Sequence, residues 1–267
     1  MITASIVIYK TKQDMLKTLL DCVKLSNSVD KLWVIDNYPM QENAWIKDYL
    51  PCIEYIENEN TGYGHAHNIA LGKAVELGST YHVILNPDIE FSANALKDLA
   101  SYMDINPEAG WVMPKVLYPN GDIQYLCKKL PTPFNLFLRR FLPAWGWVKK
   151  MDEEFELRHT GYDKEMNVPF LSGCFMFLRV ETIAKHNLYF DERFFMYCED
   201  LDLSRRFNQV SKNMYYPAVS IIHNHEKGSY KSKKLMMCHI KSTCKYFCKW
   251  GWVFDAERRR INNEIIR

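Results

Sequence analysis

The chain has 267 residues, 48% of them apolar and 25% charged, with a formal net charge of +2. That is enough apolar material for one large domain or one domain with an appendage, and too much for a disordered protein. The balanced charge gives no overall case for nucleic acid. No apolar run is long enough to cross a bilayer, and residues 1–9 lack a charged segment ahead of an apolar one, so a cytoplasmic protein is expected.

Residues 5–9 are a continuous apolar run and predict a buried strand; Met15, Leu16, Leu19, Leu20 and Val23 then recur at helical spacing after a polar start. Residues 32–35 predict a second strand ending at Asp36-Asn37, and residues 53–56 a third. The turn Gly62-Tyr63-Gly64 leads into a predicted helix from about His65 to Leu77, closed by Gly78. A fourth strand over 82–85 runs into Asn86-Pro87-Asp88, and Ser92 is placed to cap a helix over 93–103 that Pro107 stops. Alternation of this kind predicts an α/β fold, a mostly parallel sheet with helices on both faces.

Residues 121–168 are less regular, with Pro131, Pro133 and Pro143, and suit an excursion from the sheet. A strand over 170–178, a helix from near Glu199 and a strand over 214–222 restore the core. From Lys227 onward Lys and Arg outnumber Asp and Glu, and residues 231–267 read as a basic helical C-terminal extension. The eight cysteines are scattered in a chain that needs no bridges, so free thiols are expected; Cys238, Cys244, Cys248 and His239 match no common zinc spacing.

Acidic and polar landmarks follow the strand-like runs: Asp36, Asn60 to Asn68, Asn86-Pro87-Asp88, Glu199-Asp200 and His223. Strand ends are where open α/β sheets bind ligands, and carboxylates gathered there suit a divalent cation holding a phosphate, with a further acid for proton transfer. Asp36 is placed to accept from a base N–H or a ribose hydroxyl, or else simply to form an Asp-Asn turn. Gly62 and Gly64 let the backbone approach a ligand and turn a helix N-terminus toward a phosphate, without the full dinucleotide fingerprint or a phosphate-loop lysine.

Asp88 is placed to bind Mg²⁺ or Mn²⁺ with partial help from Asn86; the plainer alternative is a turn leading to Ser92. A helix starting near Glu199 puts its positive end beside Glu199 and Asp200, which keeps a carboxylate ionised and able to accept a proton. Asp202 is explained by pairing with Arg205 or Arg206 at helical spacing. His223 and His225 alternate at a strand end, where an imidazole either joins the cation or the phosphate, or is an ordinary hydrogen-bonded side chain.

Taken in order, Val7-Ile8-Tyr9-Lys10, Val34-Ile35-Asp36-Asn37, the 60–68 segment, Asn86-Pro87-Asp88, residues 171–176, residues 194–202 and His223 resemble family 2 glycosyltransferases, especially the bacterial rhamnosyltransferase-like branch. The resemblance covers most of residues 3 to 230. It implies a GT-A fold over residues 1–230, inverting sugar transfer, and Mg²⁺ or Mn²⁺ as cofactor. By the same resemblance, Asp200 is the catalytic base, Asp36 recognises the nucleobase, and Tyr9, Asn60, Gly62, Asn68, Asn86 and Glu199 line the donor pocket. Asp88 with His223 belongs to the metal and the diphosphate, with Asn86 standing where the family's motif carries an Asp.

The implied donor is dTDP-rhamnose or, with the same mechanism, a UDP-hexose; the implied acceptor is a saccharide or a lipid-linked sugar of cell-surface polysaccharide assembly. A non-catalytic nucleotide-sugar-binding protein is the reading from another class, and the intact Glu199-Asp200 pair argues against it. The aromatic-basic run 134–147, with Lys149, Lys150 and the lysine-rich tail, suits either rest at an anionic membrane surface or a packed lid.

Overall fold

A computed structural model describes residues 1–137, 146–224 and 233–265; Arg139, Arg140, Trp145, His225 and Lys231 lie outside the described residues. Three strands, β1 (Ile2–Ile8), β2 (Lys31–Asp36) and β3 (Ile53–Glu57), run parallel, with β4 (Tyr81–Leu85) parallel on the other side of β1. Ile8 pairs with Asp36 and Asp36 with Glu57, so these strands end level and leave one common rim. Alternate residues face opposite ways: Ala4, Ile6, Leu32 and Val34 enter the main core, whereas Val7, Trp33 and Ile35 pack under a second cluster. Burial of both faces is why these strands read as unbroken apolar runs.

Helix α1 (Gln13–Ser26) buries Leu16, Leu19, Leu20 and Val23, as its spacing predicts. Helix α2 (Tyr63–Glu76) starts two residues before the expected His65 and buries Ala66, Ala70 and Ala74, small residues that let it lie close on β1 and β2. Ser92 does not cap the next helix. A short strand, β5 (Ile89–Phe91), follows Asp88, and Asn94 stands ahead of α3 (Ala95–Ile105).

The sheet continues through β6 (Ala109–Leu117), β10 (Phe175–Arg179) and β11 (Lys212–His223) in the order β3-β2-β1-β4-β10-β6-β11-β5, with β8 (Met166–Asn167) also on β11. β6 and β11 are parallel; β10 runs antiparallel to both β4 and β6, and β5 antiparallel to β11. The single strand expected over 170–178 is two. β9 (Phe170–Leu171) leaves to pair with β7 (Cys127–Lys128), and the break at Ser172-Gly173-Cys174 brings a turn against the end of β4.

Between them lie α4 (Pro133–Leu136), α5 (Gly146–Phe155) and α6 (Val180–His186); α7 (Glu199–Val210) precedes β11. The C-terminal extension forms α8 (Lys233–Trp250) and α9 (Ala256–Glu264), which share a third apolar cluster with the rest of the chain: Tyr246, Phe247 and Ile261 meet Leu130, Phe170, Phe194 and Leu201. An ionic seam joins the same parts. The Arg205 guanidinium, 1% exposed, donates to both oxygens of Asp255 at 2.8 Å and to Glu257 at 2.7 Å, and lies 4.1 Å from the centre of the Trp250 ring. A buried, fork-shaped cation paired this fully holds α8 and α9 against α7 in one geometry.

Candidate active site

At the end of β2, Asp36 is wholly buried and its carboxylate is already engaged: it accepts from the Tyr38 N–H (2.8 Å), the Asn43 amide (2.6 Å) and the Tyr55 hydroxyl (2.6 Å). Burial, with Asp36 as hydrogen-bond acceptor and neighbouring charge, keeps the Tyr55 phenol neutral far above its ordinary range. Asp36 thus orders the loop that carries Tyr38. The Tyr38 and Tyr9 rings stand exposed side by side, with centroids 5.6 Å apart and Lys10 Nζ 4.4 Å from the Tyr38 ring centre. Together they make an aromatic and cationic ledge at the rim.

Asn60 is exposed on the same rim. Gly62 and Asn68, expected to line a donor pocket, both meet the 190–198 segment. At Gly62, φ is +115° and an added Cβ would fall 2.4 Å from the Phe195 carbonyl oxygen, which accepts from the Tyr63 N–H. Asn68 gives its amide N–H to the Phe190 carbonyl and takes the Phe190 N–H on its own oxygen. His67 points inward, its Nδ1 2.8 Å from Ser5 Oγ, and burial holds the ring neutral.

Asn86, Asp88 and His223 meet where β4, β5 and β11 end. His223 pairs with Ile89 across the β5–β11 ladder, which sets its Nε2 3.4 Å from Asp88 Oδ2. Its other nitrogen, Nδ1, lies 2.9 Å from Gln124 Oε1. The Gln124 amide nitrogen donates to the His223 carbonyl (2.7 Å) and the Leu117 carbonyl (3.3 Å), so its oxygen is the acceptor and Nδ1 carries the proton. A neutral ring in that tautomer turns an Nε2 lone pair toward a carboxylate oxygen. Two acceptors this close call for a cation between or beside them, a proton or a metal ion. Asp88 and His223 therefore fit Mg²⁺ or Mn²⁺, a hard cation with an oxygen-rich shell that tolerates one imidazole, while the Asn86 side-chain oxygen is on the Tyr63 hydroxyl.

The second centre comes from α7. Tyr197 and Cys198 both adopt left-handed backbone (φ 69° and 64°), a strained turn that presents Glu199 and Asp200 in the helix's first turn. Asp200 Oδ2 accepts from the Gly173 N–H (2.9 Å) and Oδ1 from its neighbour Leu201 (2.8 Å). Burial pushes the Asp200 carboxyl above the usual aspartate range, while these N–H groups and Lys128 pull it back. Burial and then the Asp200 charge push Glu199 up much further, and Glu199 Oε2 is enclosed without a hydrogen-bond partner. Both carboxyls are pushed toward their neutral forms by burial, Glu199 the further of the two.

Hydrogen bonds link the neighbourhoods of the two centres. The Tyr63 hydroxyl lies 3.0 Å from both Asn86 Oδ1 and the Gly173 carbonyl oxygen, and the Asn86 N–H donates to the Cys174 carbonyl at 3.0 Å. Gly173 in turn holds Asp200, where an added Cβ would sit 2.9 Å from the Asp200 Cβ. The charges of both Asp88 and Asp200 help raise the Tyr63 and Cys174 groups between them, after burial itself. Tyr63 and Gln124 were not singled out from the sequence. Tyr63 lies within the Asn60–Asn68 segment, whereas Gln124 reaches His223 only because a Tyr118–Asp122 turn folds residue 124 back onto Val116.

Residues 3–186 match the family model described as glycosyl transferase family 2. The matched span contains Asp36 and Asp88 and stops before Asp200 and His223, whose placement rests on the geometry above. The chain is 26% identical over 269 residues to the rhamnosyltransferase WbbL of Escherichia coli (strain K12), covering 97% of each. It is 28% identical over 217 residues to the N-acetylglucosaminyl-diphospho-decaprenol L-rhamnosyltransferase of Mycobacterium tuberculosis (strain ATCC 25618 / H37Rv), covering 74% of this chain and 65% of that one. Similar solved structures include residues 1–349 of S. aureus TarS, with a TM-score of 0.60, 13% identity and coverage of 99% and 70%. The mannosyltransferase PcManGT from Pyrobaculum calidifontis, in complex with GDP-Man and Mn²⁺, superposes with a TM-score of 0.58 at 15% identity, covering 92% and 64%.

Proposed function

Because the chain belongs to glycosyltransferase family 2 and has the GT-A fold, we propose that it transfers rhamnose from dTDP-rhamnose to a saccharide or lipid-linked acceptor in cell-surface polysaccharide assembly. The observation that supports this reading is the hydrogen-bonded path from Asn86 through Tyr63 and Gly173 to Asp200, which starts two residues before Asp88. The rhamnose preference rests on the names of the two relatives, one of them similar over almost its whole length. The lipid-linked acceptor rests on the diphospho-decaprenol in the name of the second.

In this reading Asp200 takes the proton of the acceptor hydroxyl as that oxygen forms its bond to the anomeric carbon. The bond from that carbon to the diphosphate breaks on the opposite face, its electron pair leaving with the phosphate oxygen, and the configuration inverts. Asp88 and His223, with Asn86 nearby, would hold a divalent cation, which would supply neutralisation of the charge that grows on the departing diphosphate. Glu199 in its neutral form keeps a second negative charge out of the acceptor side. The Tyr9–Tyr38 ledge offers a face for the base, with Asp36 fixing the loop beneath it.

A thermal-shift screen of dTDP-, UDP- and GDP-sugars with and without Mn²⁺ tests the donor. At a hundredfold excess over Kd the true donor raises Tm by roughly 5 °C or more, and more with Mn²⁺ than without. A UDP-hexose that outperforms dTDP-rhamnose replaces the donor and keeps the mechanism. Donor binding with no transfer to any saccharide or lipid-linked acceptor favours the non-catalytic reading.

A further inference from the structure

α8 has no acidic residue in its 18 positions. Its buried side is Ser242, Thr243, Tyr246 and Phe247. The exposed side carries Lys234, Met237, Lys241, Lys245 and Cys248 at spacings of three and four, which is a single stripe along the helix. Lys249 is on the inner side and pairs with Asp191 and Asp202; Lys234 and Lys241 make no ion pair among the described residues.

The stripe runs into an apolar tip. Gly251, at φ +100°, turns the chain so sharply that an added Cβ would lie 2.8 Å from the Phe254 carbonyl oxygen. Trp252, Val253 and Phe254 then stand 39%, 62% and 88% exposed. They are braced from behind: the Trp252 ring stacks on Phe137 at 5.9 Å and 10°, and the buried Arg258 donates to the carbonyls of Trp252 and Val253. A held aromatic tip at the end of an acid-free lysine stripe has the composition of a helix seated at the headgroup–acyl boundary. Among the described residues no helix is long and apolar enough to cross a membrane.

We propose that the α8 stripe and the Trp252–Phe254 tip form a docking face for an anionic bilayer, with Val253 and Phe254 entering the lipid and Lys234 and Lys241 over the headgroups. This rests on the lipid-linked acceptor proposed above and names the face that meets the membrane. The inner side of α8 sits on the segment leading to the base: the Ser242 hydroxyl donates to the Met196 carbonyl (2.7 Å) and His239 packs against Tyr197 with ring centres 5.3 Å apart, while Lys245 reaches round from the exposed stripe to donate to the Arg193 carbonyl. One helix diameter, about 10 Å, separates the lipid plane from that segment. A diphosphate-linked sugar rising from the bilayer therefore meets Asp200 without leaving its anchor.

Sedimentation of the full chain with vesicles of phosphatidylcholine alone, or with about one third phosphatidylglycerol, at moderate salt tests the face. The wild type partitions onto the anionic vesicles only. Lys234→Glu with Lys241→Glu weakens partitioning roughly a hundredfold, and Val253→Ser with Phe254→Ser at least tenfold. Both variants keep the wild-type Tm and the wild-type rate on a water-soluble acceptor. Absence of lipid-dependent sedimentation, wild-type partitioning by both variants, or a concentration-dependent dimer that Phe254→Ser dissolves would each overturn the proposal. Vesicle binding together with transfer to soluble saccharides alone removes the lipid-linked acceptor and keeps the docking face; transfer to a detergent-dispersed lipid-linked acceptor without vesicle binding does the reverse.

Discussion

Within one turn of α7, two aspartates are treated in opposite ways. Asp202 is fully enclosed and its oxygens are taken by Arg206 Nε (2.9 Å), Trp250 Nε1 (2.8 Å) and Lys249 Nζ (2.7 Å). Asp200 has two backbone N–H donors and, beside it, a Glu199 oxygen with no partner at all. The same contrast extends outward. The Arg193 and Lys249 cations hold Asp191 well below the usual carboxylate range, and Arg205 and Arg258 overcome burial to lower Asp255. The cations of this region thus cluster on the side of α7 that faces α8 and α9, where they build the fold. On the side facing Gly173, carboxylates are left under-satisfied, which is what a proton acceptor needs.

That contrast breaks most visibly at Arg205. Arg205→Ala leaves Asp255 and Glu257 without their buried partner and is expected to cost about 3–5 kcal/mol in urea unfolding, with activity lost in proportion to the unfolded fraction. A loss under about 1 kcal/mol would make the seam dispensable.

The contrast sharpens at Asp88, whose partner is oriented by a neighbour. Gln124→Leu releases the His223 ring and is expected to weaken Mn²⁺ affinity about 10- to 100-fold by calorimetry in the presence of nucleotide. Gln124→Glu, which still accepts from Nδ1, recovers most of it. Equal affinities for all three proteins would remove Gln124 from the metal site.

The smallest effect is expected at Glu199. A carboxyl whose folded pKa is raised contributes stability that is fully present below its unfolded value and lost as pH rises through the folded one. The wild type should therefore lose stability between mildly acidic and alkaline pH. Glu199→Gln flattens that slope and gains about 1 kcal/mol at pH 8, or roughly 2–4 °C in Tm. Since Asp200 is shifted upward too, the acid limb of kcat/KM should fall above the ordinary aspartate value of about 3.9. A variant less stable than wild type at pH 8 would show that Glu199 is charged and paired.

Much of this arrangement is legible in the chain because strands buried on both faces read as apolar runs, and the residues just past them form the rim. Asp88, Asp200 and His223 are singled out by that pattern. What resists reading is decided by tertiary crossings. The Ser172-Gly173 step within residues 170–178 is a turn signal that the expectation of one strand passes over, and the break there brings an N–H to Asp200. Gln124 has meaning only once β6 lies beside β11. Asp36, Gly62 and Asn68 stand at the expected places, but their hydrogen bonds and close approaches go to neighbouring loops, a choice that spacing does not encode. The partners of Asp202 include Arg206, at the expected helical spacing, and also Lys249 and Trp250 from α8, which no local pattern announces.

The claim on which the account turns is that Asp88 and Asp200 serve one cleft in separate capacities, one toward the leaving diphosphate and one toward the acceptor hydroxyl. Asp200→Asn, assayed for transfer and for Mn²⁺-dependent donor binding on the same preparation, tests it directly. A fall in kcat of about two to four powers of ten, with donor affinity unchanged, is expected. Near-normal turnover, or a loss of donor binding that parallels the loss of rate, would contradict it.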